Sequence, residues 1–113
     1  GLAQVFEKEE DIQSAIKAYH KSISLNPANA RAHYNLGNLY IQIKDYTRAL
    51  KELKQAIILS PNFAEAHNNL AVFYASMEPP NLELARQHAQ KALIFGYKVE
   101  AEFLKTIDLP LNQ

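Results

Sequence analysis

The sequence predicts an all-α solenoid in which short helical pairs stack on one another. Three observations carry that expectation. The stretch AHYNLGNLY at 32–40 returns 34 residues later as AHNNLAVFY at 66–74, with Ala, His, Asn, Leu and Tyr in the same places. The same shift aligns Leu2, Leu36 and Leu70, each followed by a small residue: Ala3, Gly37 and Ala71. Prolines 27 and 61 close two of the copies at that spacing. A period of this length marks a unit that cannot bury its apolar face alone. Stacked neighbours build the core, and about three copies are the minimum.

The first copy, residues 1–29, begins already within a helical pattern. Phe6 stands where Tyr40 and Tyr74 stand later, Ala15 meets Ala49, Tyr19 meets Leu53, and Ile23 meets Ile57. The copy lacks the front of the repeat, and the opening GLAQVF, without a Met, suggests a piece of something longer. In the second copy, 30–63, apolar or small residues at 32, 36, 39, 40 and 43 fall at helical spacing. Lys44-Asp45 makes a tight connection, and the pattern resumes from Tyr46 through Leu59. Each copy is therefore expected to be a pair of helices. Gly37 and Ala49 would let the pair approach closely, and Ala56 would let the next repeat nest. Glycine inside a helix costs up to about 1 kcal/mol relative to alanine, so at Gly37 packing must outweigh propensity. Pro27 and Pro61 stop one pair and reset the chain for the next.

The third copy, 64–97, has an inter-helix loop two residues longer, SMEPPN at 76–81, after which LELARQHAQKAL recovers the pattern with Ala85 and Ala92. Gly96 is a helix stop of the usual kind. In 98–109, Val99, Phe103, Leu104 and Ile107 share one stripe, with Glu100, Glu102, Lys105 and Thr106 elsewhere and Pro110 at the end. That is the pattern of a capping helix, which a repeat array needs to solvate its last unit. The C-terminus thus has the look of a natural end, and residues 1–113 form a single domain.

Twelve basic and twelve acidic side chains cancel, which argues against a nucleic-acid or anionic-membrane footprint. The longest apolar runs, AIIL at 56–59 and ALIF at 92–95, fall far short of the roughly 20 residues of a membrane span. There is no cysteine, hence no thiolate nucleophile or Cys-ligated metal; a chain without thiols suits reducing and oxidising compartments alike. No two of the four histidines have the i, i+4 spacing of a helical metal site. His33 and His67 are expected to pack in place of an aromatic residue, and His20 and His88 to lie on the outer face of second helices. Lys51, Glu52 and Lys54 are expected on a solvated face. With no Gly-rich phosphate loop and no Ser/His/Asp arrangement, no catalytic residue and no cofactor are expected.

The pattern Leu-Gly/Ala-x-x-Tyr, then Ala, a bulky residue, Ala and Pro, closely resembles the tetratricopeptide repeat. The resemblance covers nearly the whole chain. Leu36, Gly37, Tyr40, Ala49, Leu53, Ala56 and Pro61 stand at its signature positions; His33 and His67 replace its usual large aromatic, and Ser22 replaces the second Ala of the first copy. The resemblance implies a right-handed αα superhelix of about three repeats plus a cap, its inner wall built mainly from first helices. It implies that Arg31, Tyr34, Asn35, Asn38, Ile41 and Gln42 line a groove. Glu65, Asn68, Asn69, Val72 and Ser76 follow from the third copy, and Gln4, Glu7 and Lys8 from the first. Leu104 and Lys105 would close the far end. The implied function is a non-catalytic protein–protein interaction scaffold that holds an extended peptide of a protein partner.

Asparagine is a poor helix former because its amide competes with the backbone. Yet Asn35 and Asn69 sit at the same place in successive copies. A carboxamide offers one acceptor and two donors, enough to grip both the N–H and the C=O of an extended main chain without reading its sequence. The pair is similar to the asparagine ladder in the peptide-binding superhelix of the O-linked N-acetylglucosamine transferases. The alternative is that both asparagines hydrogen-bond a neighbouring repeat or are simply solvated. A carboxylate clamp of the cochaperone type fits less well. In the natural register Asn35 matches, but Glu65 occupies a lysine place and Asn69 the arginine place. One repeat along, Asn38, Asn69 and Lys105 match, while Tyr34 and Ala101 occupy the lysine places. Two other functions stay open. One is a spacer or homo-oligomer assembled through the apolar N-terminal end at Leu2, Val5 and Phe6; the other is a substrate-recruiting arm of a larger enzyme such as a glycosyltransferase.

Overall fold

The computed structural model describes residues 2–109, with side chains described from Glu9 onward. Among these residues there are six helices and no strand. They fall into two compact units, residues 1–59 and 60–113.

The first unit holds α1 (Leu2–Leu25), α2 (Ala30–Gln42) and α3 (Tyr46–Leu59). The first copy is a single 24-residue helix and not the expected pair. Glu10 and Asp11 align with the Lys44-Asp45 connection, but the run EKEEDIQSA is rich in strong helix formers and holds neither glycine nor proline. The helix therefore runs straight through the place where the second copy turns. Asn29 caps α2, its side-chain oxygen accepting from the Ala32 amide at 3.1 Å, which satisfies one of the orphan donors of the first turn. At the start of α3, Asp45 accepts from the Arg48 amide at 3.2 Å and from its guanidinium at 2.6 Å. Those bonds hold the Asp45 carboxyl below the usual carboxylate range. The core of this unit gathers Ile16, Leu36, Tyr40 and Ala49, flanked by Ile12, Tyr19, Ile23, Leu39, Ile41 and Ile43.

The second unit holds α4 (Ala64–Ser76), α5 (Leu82–Ile94) and α6 (Ala101–Thr106). The longer loop after α4 is closed by a bond from the Asn81 amide to the Tyr74 carbonyl, 2.9 Å. Asn81 then caps α5 by accepting from the Leu84 amide at 3.1 Å. Alanines 66, 71, 85, 89 and 92 are all fully buried around Leu70 and Tyr74. Within the 98–109 segment the expected stripe is inward: Val99, Leu104 and Ile107 are buried. The Arg86 guanidinium donates to the Ile107 carbonyl at 3.0 Å, tying the end of α6 to α5. Pro110 lies outside the described residues.

Three helices end in the same way. The amide two residues past the C-cap bonds back to a carbonyl five positions earlier: Asp45 to Tyr40 at 2.9 Å, Tyr97 to Ala92 at 2.8 Å, and Leu109 to Leu104 at 2.8 Å. This Schellman closure needs a left-handed residue at the turn. Gly96 takes it freely at φ 94°, but Lys44 (63°) and Asp108 (59°) are not glycines. A side chain in that region costs roughly 1–2 kcal/mol, part of which a glycine returns as unfolded-state entropy. Lys44→Gly is therefore expected to raise stability by about 0.5–1 kcal/mol, read as a higher urea midpoint with an unchanged slope.

Candidate functional site

Each first helix of a pair carries two stripes. On α2 the buried stripe is Ala32, His33, Leu36, Gly37 and Tyr40; on α4 it is Ala66, His67, Leu70, Ala71 and Tyr74, the same positions 34 residues on. The other stripe is the candidate binding surface. On α2, Tyr34, Asn35 and Asn38 are half-buried, while Arg31 and Gln42 are exposed. On α4, Glu65, Asn68 and Asn69 are half-buried, and Val72 and Ser76 are exposed. Spacings of three and four residues bring each set onto one face of its helix. The Arg31 guanidinium lies 5.7 Å from the centroid of the Tyr34 ring, a cation–π contact that presents a positive charge on an aromatic base. Arg31, Tyr34, Asn38, Glu65 and Asn69 each make interactions within the protein besides any they offer a ligand.

Other expected site residues are placed differently. Ile41 is half-buried and packs against the core of its unit. Leu104 is 1% exposed and belongs to the core. Lys105 is on α6, fully out in solvent, 3.7 Å from Glu102; a pair so exposed is weak. The side chains of Gln4, Glu7 and Lys8, like those of Leu2, Val5 and Phe6, lie outside the described residues.

The histidines differ most from the sequence expectation. His33 and His67 are buried, but they do more than fill space. The Nε2–H of His33 donates to the Pro27 carbonyl at 3.1 Å, and that of His67 donates to the Pro61 carbonyl at 2.8 Å. One ring nitrogen thus ties each first helix to the proline turn before it. The other nitrogen reaches across to the second helix. His33 Nδ1 lies 2.7 Å from a Glu52 carboxylate oxygen, one proton held between them. His67 Nδ1 lies 3.0 Å from His88 Nδ1. With the two-residue insertion counted, His88 occupies the place of Glu52. His20 is likewise not idle, its Nε2 bonding the Tyr40 hydroxyl at 2.9 Å. Burial pushes that phenol up from its ordinary range, with Arg48 partly opposing the shift. No described buried side-chain nitrogen or oxygen lacks a hydrogen-bond partner. No group of three or more potential metal ligands occurs among the described residues, and no described helix is long and apolar enough to cross a membrane.

A family model described as "Tetratricopeptide repeat" matches residues 7–68, more than half of the sequence. The chain belongs to the tetratricopeptide repeat family. Among solved structures, the crystal structure of MamA matches with a TM-score of 0.70 at 26% identity, over 78% of this chain and 50% of MamA. The chain thus spans about half the length of that relative. No curated protein sequence matches significantly. Tetratricopeptide repeats typically serve as non-catalytic protein-interaction scaffolds, and the all-helical fold of this chain is consistent with that class.

Proposed function

We propose that this repeat array holds an extended segment of a partner protein, without catalysis, each unit offering the exposed stripe of its own first helix: α2 in the first unit and α4 in the second. The observation that carries the reading is the recurrence of Asn35 at Asn69, each half-buried and outside the buried stripe of its helix. A half-buried amide on a helix is held in place yet still reaches an incoming main chain. Its carbonyl accepts from a peptide N–H while its amino group donates to a peptide C=O. This is the use to which the asparagine ladder of the O-linked N-acetylglucosamine transferases is put.

The test is capture by the immobilised chain, alongside an Asn35→Ala/Asn69→Ala variant checked for equal helicity, with retained proteins identified by mass spectrometry. A protein held by the parent and reduced at least tenfold on the folded variant is the expected result; removal of two charge-neutral hydrogen-bonding groups at about 1 kcal/mol each gives that scale. Equal retention by both would assign the asparagines to the scaffold. Self-association is the competing reading, favoured by the first copy's having one helix where the others have two. It requires that light scattering show a mass rising with concentration above that of the 12.8 kDa chain.

A further inference from the structure

We propose that His67 and His88 form an acid-released clasp between α4 and α5. The geometry fixes where the protons sit. The Pro61 carbonyl can only accept, so His67 keeps its hydrogen on Nε2, at 2.8 Å. In the neutral ring Nδ1 is then bare, and it must accept from the Nδ1–H of His88 at 3.0 Å. The clasp has one proton between two nitrogens.

A positive charge on the His88 ring is compatible with this bond. It leaves the Nδ1–H···Nδ1 bond in place and strengthens it as a charge-assisted bond. A second must go onto His67 Nδ1. Two N–H groups would then point at each other across 3.0 Å, in two positive rings with centroids 5.3 Å apart. Burial opposes that second charge. His67 is 2% exposed, and Phe95 and Tyr74 cover the pair, the first 5.7 Å from His67 and the second stacked 5.8 Å from His88. Tyr74 and Glu65 are the titratable side chains that share α4 with His67. On α5 stand Glu83, Arg86 and Lys91, and the turn at 60–63 contributes none. Of these, Lys91 bears on His67 and opposes its charging, while Arg86 is engaged by the Ile107 carbonyl. Burial, aided by Lys91 and only partly offset by the Pro61 bond, lowers the His67 pKa from its ordinary value.

The sign follows. The unfolded chain charges His67 near pH 6.5 while the folded chain resists it, so the clasp's contribution is complete above that pH and is lost as pH falls. One proton of difference makes the unfolding constant rise about tenfold per pH unit. In the first unit, the equivalent His33–Glu52 pair joins a ring nitrogen to a carboxylate, where no second ring competes for the shared proton.

The test uses the whole chain and a His88→Glu variant, which copies the partner found at the equivalent place in the other repeat. Nitrogen-15 NMR of the histidine rings from pH 7.5 to 5.0 should show His67 as the Nε2–H tautomer, charging only after His88. Urea unfolding at pH 6.5 and 5.5 should show the parent's unfolding constant rising about tenfold more than the variant's; every other residue is common to both. Independent titration of the two rings near pH 6.5, or an equal acid loss in His88→Glu, would overturn the clasp. Should His88→Glu fail to fold, the order and separation of the two ring titrations in the parent decide alone.

Discussion

Leu36→Ala is expected to lower stability by about 2–5 kcal/mol, toward the upper end of that range. Leu36 is fully buried among Ile16, Tyr40 and Ala49. Its loss leaves a cavity that the neighbourhood has little means to fill: Ala49 and Gly37 are short, and the helices on either side are held by Asn29 and Asp45 at their starts. Residual cavity adds to the lost transfer free energy, and sites that cannot collapse sit high in the range. Against a total of about 5–15 kcal/mol for a domain, that is a large share. Leu25→Ala removes the same atoms from a position 79% exposed and should fall within about 0.5 kcal/mol of the parent. Urea midpoints of the two variants make the comparison; equal values would mean that the core does not centre on Leu36.

The parts of this fold that depend on short-range chemistry were legible in the sequence. Helical periodicity placed α2 through α5, and Gly96 was a readable stop because a left-handed turn has a chemical preference that shows in one residue. Lys44 and Asp108 perform the same turn without glycine, which no local signal announces. The first copy was misjudged for a related reason. Each copy was expected to be a pair of helices, but the helix-forming run at 7–15 has nothing that compels a reversal, and α1 continues through it.

For the candidate site, the family register picked out positions on α2 and α4 that the structure leaves outside the buried stripes. Ile41 and Leu104 were placed toward a ligand, and both proved to be core or core margin. A helix face has no sharp boundary, so a residue about a quarter-turn from the stripe centre can turn either way. The histidine ties were missed because His33 and His67 were compared with the aromatic they replace, not with what lies opposite. A signal was present. Once the two-residue insertion is allowed for, Glu52 and His88 fall in the same place on their second helices, and each faces a histidine.

Gly37→Leu is expected to cost about 1–3 kcal/mol by overpacking. Even a Cβ at position 37 would stand 3.0 Å from Leu53 Cγ, 3.2 Å from its Cδ2 and 3.3 Å from the Ala49 carbonyl oxygen. The leucine can shift by a few tenths of an ångström; the carbonyl belongs to α3 and cannot, so further atoms must push the helix pair apart. The third copy shows how the same contact tolerates a methyl group. There Ala71 stands in the place of Gly37 and Ala89 in the place of Leu53, both fully buried, so one methyl on the first helix is matched by a smaller residue on the second. A double-mutant cycle separates the steric term from helix propensity. Gly37→Ala alone combines a propensity gain of about 1 kcal/mol with a tight contact; in a Leu53→Ala background the contact is gone and the gain remains. Coupling of about 0.5–3 kcal/mol is expected, in favour of the paired alanines. Strict additivity would mean that Leu53 is not what keeps position 37 a glycine, and the close approach of α2 to α3 would then rest on the Ala49 carbonyl alone.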